Sequence, residues 1–243
     1  MSRIFVNQNL KTHSSIYITG DNYHHVKNVL RMKVGDPLYL FNGGEEEFEA
    51  KIVAMDKKNI TLQILMSQKA NKESPLEIII GQGLPKGSKF DDLIPKVTEL
   101  GISEFIPLIT ERSDLKKTSP QKVLRWQKIA QQSAQQTGRT KIPRISPPLA
   151  LTDFLNRYPQ HEKILFYELE NSKDFKAVLT MTSATRFCLL IGPEGGFSPE
   201  EIAKAQKVKF HVASLGKRIL RTETVAPAVT AILQYVKGDL NRV

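Results

Sequence analysis

From residue 76 onward, apolar runs of strand length alternate with helical patterns, and no other feature of the sequence limits the fold so strongly. The strand candidates are Leu76–Gln82, Phe105–Ile109, Lys163–Tyr167, Phe187–Ile191 and Phe210–Leu215. Apolar residues recur at helical spacing after the first two strands, in Ser88–Leu100 and Ser119–Thr137. Because strands that alternate with helices form parallel sheets buried on both faces, the sequence predicts an α/β domain with a parallel sheet.

Residues 1–66 have a different pattern, in which short strand candidates follow one another closely. These candidates are Arg3–Val6, Ser15–Thr19, Pro37–Phe41, Glu47–Ala54 and Ile60–Met66, with one helical stretch, His24–Met32, between them. Short strands broken by turns are typical of a small β-barrel. Residues 67–75 lack an apolar period and end in a proline, so we predict a linker there, between domains at 1–70 and 75–243.

Positive charge is concentrated in one segment of the chain. The 243 residues carry a formal net charge of +10, and residues 112–144 alone hold nine Lys or Arg against one Asp. Such a segment is typical of a surface that binds a polyanion, because neutralising phosphates releases counterions. A solvated helix face is the alternative interpretation.

Composition limits the location and the chemistry of the chain. The 40% hydrophobic and 25% charged residues are those of a soluble globular protein, and no run of eighteen apolar residues or signal-peptide pattern is present. We therefore expect a cytoplasmic protein without a membrane segment. The lone Cys188 lies in an apolar run, which predicts a packed core thiol. Adjacent histidines at His24 and His25 do not complete a metal site, so we expect no metal.

A glycine-rich turn follows the strand that ends at Ile191. Residues 192–201 read GPEGGFSPEE, in which Ser198, Pro199 and Glu201 form the pattern of a capped helix start. Glycines in such a turn let backbone N–H groups approach a ligand closely, and open α/β sheets bind ligands at the carboxyl ends of their strands. A strand-to-helix turn without any function is the alternative.

A second loop, residues 215–226, reads LGKRILRTETVA and leads into an apolar C-terminal helix. It places three cations, Lys217, Arg218 and Arg221, close to a predicted helix start. Cations oppose the helix dipole at that end, so they are poor choices for stability alone. This local conflict indicates a functional site.

The two loops together resemble the paired cofactor loops of the SPOUT methyltransferases, in the branch that makes N3-methyluridine in 16S ribosomal RNA (RsmE-type). Further matching motifs occur in order along the chain. They are His24–Arg31 with Gly35-Asp36, Lys86-Gly87, Thr98–Gly101, Glu111–Ser113, Arg125–Ile129 and Thr137–Arg139. The resemblance therefore covers nearly the whole sequence.

The resemblance implies an N-terminal PUA-like β-barrel that binds RNA and a C-terminal α/β domain tied in a trefoil knot. It also implies a homodimer that uses S-adenosylmethionine as cofactor and 16S ribosomal RNA of the small ribosomal subunit as substrate. The residues expected to bind the cofactor are Leu165, Phe166, Glu168, Gly192, Pro193, Gly195, Gly196, Leu215, Ile219, Leu220 and Thr222.

Methylation of a uridine N3 requires positioning of the base and removal of the N3 proton. Arg221 is expected to stabilise negative charge on the base carbonyls, and Glu223, with Glu194 second, is expected to accept the proton. For Glu223 the alternative is a first-turn carboxylate that only interacts with the helix dipole.

Phosphate contacts are expected from basic residues in both parts of the chain. The candidates are Arg3, Lys27, Arg31, Arg112, Lys116, Lys117, Arg125 and Arg139, with Lys141 and Arg144 beside them. Two other functions stay open: a non-catalytic protein that binds RNA or assists ribosome assembly, and a ribose 2′-O-methyltransferase.

Overall fold

The computed structural model describes residues 2–113, 118–170 and 174–241, and it divides the chain into two compact units. The first unit comprises residues 1–73 and 134–142, and the second comprises residues 74–133 and 143–243. Residues 134–142 therefore belong to the first unit, although they are distant from it in sequence. No pattern in the sequence indicated this.

The first unit is built on a five-stranded sheet. Its strands are β1 (Arg3–Phe5), β2 (Ser15–Ile18), β3 (Pro37–Phe41), β4 (Glu46–Met55) and β5 (Ile60–Lys69), in the order β1-β3-β4-β5-β2. The β1–β3 pair is parallel and the other pairs are antiparallel. Two register shifts between β4 and β5 bend the sheet, which curls into a half-barrel around the buried inward side chains. The predicted β-rich character of residues 1–66 is confirmed.

Two boundaries in this unit differ from the prediction. The helical stretch is an α-helix, α1 (Gly20–His24), followed by a π-helical turn at His25–Val29, so the predicted range His24–Met32 was wrong. The N–H of Leu30 donates to the carbonyl of His25 five residues earlier, and Arg31, with φ of +53°, has left the helix. The predicted linker also began too early, because β5 pairs with β4 as far as Lys69.

The second unit contains a seven-stranded sheet in which every described pairing is parallel. Its strands are β6 (Glu77–Gly83), β7 (Glu104–Ile109), β8 (Arg144–Ile145), β9 (Leu149–Ala150), β10 (Glu162–Phe166), β11 (Arg186–Ile191) and β12 (His211–Ala213). The order is β12-β10-β11-β6-β7-β8, with β9 also paired to β7. This arrangement confirms the predicted α/β domain with a parallel sheet.

Helices accompany these strands along the chain. They are α2 (Lys89–Glu99), α3 (Pro120–Thr137), α4 (Leu151–Leu155), α5 (Phe175–Thr180), α6 (Pro199–Lys207) and α7 (Thr222–Val236). None of the helices in the described ranges is long and apolar enough to cross a membrane. Trp126 of α3 is fully buried against Phe90 of α2, and Cys188 is buried in β11, which confirms the predicted core thiol.

Candidate active site

A pocket of about 390 Å³ opens where three neighbouring strands of the parallel sheet end. Its wall is formed by the segments that follow β10, β11 and β12, together with the first residue of α2, Lys89. Carboxyl ends of parallel strands meet at one edge of a sheet, and this edge is where such sheets bind ligands. Both loops that the sequence singled out contribute to this one pocket.

The glycine-rich loop has the close backbone approaches expected of a ligand cradle. Gly196 has φ of +68°, and a Cβ there would lie 2.9 Å from Oε1 of Glu168 across the pocket. The loop ends in the predicted capping box, in which Ser198 Oγ accepts from the N–H of Glu201 and Glu201 Oε2 accepts from the N–H of Ser198. The second carboxylate oxygen of Glu201 accepts from the N–H of Glu111 at 2.8 Å. These bonds fix the loop at its helical end.

A buried glutamine joins the two pocket loops. Gln82, at the end of β6, is fully buried, and its Nε2 donates to the carbonyls of Gly83 and Gly192 and to Thr222 Oγ1 at 3.1, 3.1 and 2.8 Å. Thr222 Oγ1 donates in turn to the carbonyl of Gly192 at 2.6 Å. The strand end, the glycine-rich loop and the start of α7 are therefore held together by one hydrogen-bonded cluster.

A lysine and two glutamates meet at the rim of the pocket. Nζ of Lys89 lies 2.9 Å from Oε1 of Glu194 and 3.4 Å from Oε2 of Glu223. The N–H of Lys86 also donates to Glu194 at 3.1 Å. Glu223 Oε2 is buried and accepts no hydrogen bond within the described residues. The two carboxylates thus differ: Glu194 is held by several donors, whereas Glu223 is held by the ammonium alone in the described contacts.

The pKa values of this cluster follow from these contacts. Partial burial acts to raise the pKa of Glu194, but hydrogen bonds from Lys89 and from backbone N–H groups outweigh it, so the pKa is lowered. The hydrogen bond with Glu194 raises the pKa of Lys89, with further support from Glu223. Glu194 and Lys89 are consequently a charged pair at neutral pH.

Apolar and cationic side chains complete the wall. Leu215, Ile219 and Leu220 line it, and the side chain of Ile219 is 81% exposed. Arg221 occupies the N-cap position of α7 without a side-chain cap hydrogen bond. A large apolar side chain left open to solvent beside cationic donors is typical of a binding site for a ligand with an apolar ring and polar edges.

Most of the residues predicted to bind a cofactor or act in catalysis line this pocket. Those that do are Phe166, Glu168, Gly192, Pro193, Glu194, Gly196, Leu215, Ile219, Leu220, Arg221, Thr222 and Glu223. Leu165 does not, because its side chain is fully buried in the core of the second unit. Gly195 does not either, since it faces Arg112, whose guanidinium donates to its carbonyl at 3.0 Å.

The predicted phosphate-contacting residues fall into two groups. Arg139 is buried and Arg3 is half-buried in the first unit, where Arg3 pairs with Glu47 and Arg139 pairs with Glu73 at 2.9 Å. Arg3 also donates to the carbonyl of Gln135, so both arginines serve to hold residues 134–142 in that unit. These internal contacts leave little of either guanidinium for a phosphate.

The remaining basic candidates are nearer to solvent. Arg31 is exposed, Lys27 is half-buried over the ring of Tyr23, and exposed Arg125 pairs with Asp91 at 2.8 Å. Lys116 and Lys117 lie outside the described residues. In the described ranges, no group of three or more His, Cys, Asp or Glu side chains is arranged to hold a metal ion.

Sequence reasoning missed Lys89 and Gln82. Each had a signal: Gln82 is a polar residue at the carboxyl end of a largely apolar strand, and Lys89 begins the helix that follows that strand. Strand ends are where ligand-binding residues concentrate, so the end of β6 carried the same signal as the ends of β11 and β12.

Comparison with known proteins places both units in described families. Residues 72–234 match the model of an RNA methyltransferase domain, and residues 18–65 match that of an RNA methyltransferase PUA domain. The chain is 35% identical to ribosomal RNA small subunit methyltransferase E of Buchnera aphidicola subsp. Acyrthosiphon pisum, covering 98% of this chain and 94% of that protein. It is 30% identical to the Bacillus subtilis protein of the same name, covering 98% and 100%.

The chain is also similar to solved structures of methyltransferases. The chain matches ribosomal RNA small subunit methyltransferase E from Neisseria gonorrhoeae, bound to S-adenosyl methionine, with a TM-score of 0.90, 29% identity and coverage of 99% of each chain. A methyltransferase from Legionella pneumophila in complex with the same cofactor matches with a TM-score of 0.90 and 34% identity, over 98% of each chain.

Proposed function

This chain belongs to the family of ribosomal RNA small subunit methyltransferase E proteins, and we propose that it methylates N3 of a uridine in 16S ribosomal RNA with S-adenosylmethionine as methyl donor. The observation that carries the proposal is the single pocket in which the loops 192–197 and 215–223 meet. Acidic and cationic groups lie at its rim, where a base would enter.

The pocket fits the cofactor by shape and by chemistry. Its volume lies in the range of small-molecule sites, and Gly196, where a side chain would meet the carboxylate of Glu168, leaves room for a ligand to approach the backbone. Leu215, Ile219 and Leu220 supply apolar walls for an adenine ring. Glu168, exposed beside Gly196, supplies an acceptor for ligand hydroxyl or amino groups.

When bound, the cofactor supplies an electrophilic methyl group whose bond to sulfur breaks as the bond to N3 forms. The protein has two tasks in this reaction. It must hold the uracil edge in line with the methyl group, and it must take up the N3 proton, because N3 is a weak nucleophile until that proton leaves. Arg221, which lines the pocket at the N-cap of α7, is proposed to stabilise negative charge on the base carbonyls.

Glu223 is the better candidate for the proton acceptor. Its carboxylate lies in the pocket wall, and Oε2 accepts no hydrogen bond within the described residues. Glu194 accepts hydrogen bonds from Lys89 and from the N–H of Lys86, and its pKa is lowered, so it is a weak base. We therefore assign proton uptake to Glu223 and a structural role to Glu194.

The first unit is proposed to bind the RNA around the target uridine. Half-buried Lys27 lies in its π-helical turn, exposed Arg31 follows that turn, and Arg112 stands beside the glycine-rich loop of the second unit. N3 lies on the pairing edge of uracil, so the substrate must present an unpaired or extruded base. A ribosomal RNA substrate favours a cytoplasmic location for the protein.

We also infer a homodimer with the trefoil knot of its family. On α7, Ile232, Tyr235 and Val236 share one helix face and remain 40%, 63% and 48% exposed. An apolar patch at helical spacing is typical of an interface between subunits. Light scattering of the purified protein should give twice the mass of one chain, and a monomeric mass would remove this inference.

The proposed reaction is tested in cells that lack the protein. Their 16S ribosomal RNA, digested to nucleosides and analysed by mass spectrometry, should lose one N3-methyluridine, and expression of this chain should restore it. Unchanged N3-methyluridine, or the loss of a 2′-O-methyl nucleoside in its place, would contradict the proposal. Unchanged methylation with altered subunit assembly would favour the non-catalytic alternative.

A further inference from the structure

We propose that Lys89 is a positioning residue for methyl transfer, because its ammonium holds the carboxylate of Glu223 in place at the pocket rim. The proposal rests on the proposed function, in which Glu223 takes the N3 proton. Lys89 is not proposed to contact the reacting atoms. It acts through the carboxylate of Glu223, with which it pairs.

Three segments of the second unit bring their charges to one point. Lys89 is the first residue of α2, Glu194 lies in the loop after β11, and Glu223 is the second residue of α7. The ammonium lies 2.9 Å from one carboxylate and 3.4 Å from the other, so a single cation is shared. The side chains of Lys89, Glu194 and Glu223 are 39%, 28% and 25% exposed, so solvent screens their charges only in part.

Two carboxylates that share one cation depend on it for their positions. Without Lys89, Glu194 and Glu223 would lie near each other with no ammonium between them, and their mutual repulsion would displace the carboxylate of Glu223. The other charged residues that line the pocket are Glu168, Arg218 and Arg221, and Asp92 follows on α2 itself. The raised pKa of Lys89 and the lowered pKa of Glu194 agree with this dependence.

The proton step defines what the ammonium must do. The proton of N3 passes to the carboxylate of Glu223, and the electron pair of the broken N–H bond stays on nitrogen, which then forms its bond to the methyl carbon. The carboxylate must therefore lie within hydrogen-bonding reach of N3 when the base enters, and Lys89 holds it there.

The test compares Lys89→Met, Lys89→Arg and the matched control Lys96→Met in the full-length protein. Lys96 lies on the same helix, is exposed and does not line the pocket. Methyl transfer to small ribosomal subunits lacking the modification is followed under single turnover across pH, and the Kd of S-adenosylmethionine is measured by calorimetry. Nucleoside digestion of the wild-type product first establishes N3-methyluridine, so failure of the proposed function is seen separately.

Lys89→Met should lower the single-turnover rate about 10-fold, with the Kd of S-adenosylmethionine nearly unchanged. Lys89→Arg should restore most of the rate, since guanidinium keeps the charge. Removing the second carboxylate with Glu194→Gln should reduce the loss caused by Lys89→Met, because Glu194 then no longer repels Glu223. An unchanged rate in Lys89→Met, or a loss of rate explained entirely by weaker cofactor binding, would overturn the proposal.

Discussion

At residue 196 the pocket requires a position without a side chain. Gly196 combines a left-handed backbone, φ +68°, with a carboxylate oxygen of Glu168 that would lie 2.9 Å from any Cβ. The left-handed backbone makes a side chain at residue 196 strained, and the short distance to Glu168 limits the space for that side chain beside the ligand. A control variant at a glycine that has only the left-handed backbone separates these two effects.

Gly196→Val should therefore abolish binding of S-adenosylmethionine, measured by calorimetry and by the loss of the cofactor-dependent rise in melting temperature. Gly43→Val is the matched control, because Gly43 has φ of +91° but a Cβ added there would meet nothing within 4 Å. That variant should lose some stability yet keep the shift in melting temperature. A normal shift in Gly196→Val would remove the glycine-rich loop from the cofactor site.

The two glutamates should respond differently to the same isosteric change. Glu223→Gln should lower kcat by about 10²–10⁴-fold, as expected for a lost general base, with cofactor affinity nearly unchanged. Glu194→Gln should cost less, because Glu194 is held by donors and does not accept the proton. Single-turnover rates would decide the matter. Near-normal turnover in Glu223→Gln would leave that carboxylate as a helix-dipole partner only.

Most of the pocket residues were predicted from short sequence motifs. Lys89 and Gln82 were not, because they belong to the site through contacts with residues distant in the sequence. The loops around Gly192 and Leu215 are recognisable because their glycines and cations conflict with what a plain turn or helix start needs. Lys89 escaped notice because its partners lie 105 and 134 residues away, and Gln82 because its bond to Thr222 spans 140 residues. No local pattern encodes such pairings.

Among the elements, strand β6 and helix α7 depend on each other through Gln82. Its amide donates to the carbonyl of Gly192 and to Thr222 Oγ1, and burial excludes water as a substitute. Gln82→Leu keeps the approximate volume and removes both donors. It should cost about 1–3 kcal/mol in urea unfolding and weaken cofactor binding as the loops separate.

Gln63→Leu, a change on a partly exposed residue of β5, is the matched control for this substitution. It should alter the free energy of unfolding by no more than about 0.5 kcal/mol. If Gln82→Leu unfolds at the wild-type urea concentration and binds the cofactor normally, the cluster does not couple the two loops.

Elements with long periodic patterns were predicted close to their observed bounds. Helix α2 begins one residue after the predicted start at Ser88, and β3 has the predicted bounds Pro37–Phe41. The two-residue strands β8 and β9 and the five-residue helix α4 were missed, since so few residues show no period. The π-helical turn after His24 was predicted as part of one helix with Val26, Val29 and Leu30 on a shared face, but Val26 is buried whereas Val29 is 67% exposed.

In the whole molecule, the first unit is proposed to bind RNA and the second to bind the cofactor. Mutations in the first unit should therefore change RNA binding without changing cofactor binding. Arg31→Ala should weaken RNA binding and reduce the salt dependence of log K by about one charge, while cofactor affinity stays unchanged. Lys57→Ala removes one charge from an exposed turn of the same unit and serves as control. Equal effects of both changes on RNA binding would argue against a defined contact at Arg31.

Transfer of a methyl group to N3 of a uridine by this pocket can be followed directly with a labelled cofactor. Small ribosomal subunits from a strain lacking the protein are incubated with purified chain and methyl-labelled S-adenosylmethionine, and the RNA is digested to nucleosides for mass analysis. Label should appear in N3-methyluridine alone with the wild-type chain and should be absent with Gly196→Val. Label in a 2′-O-methyl nucleoside, or in any base other than uracil, would contradict the account.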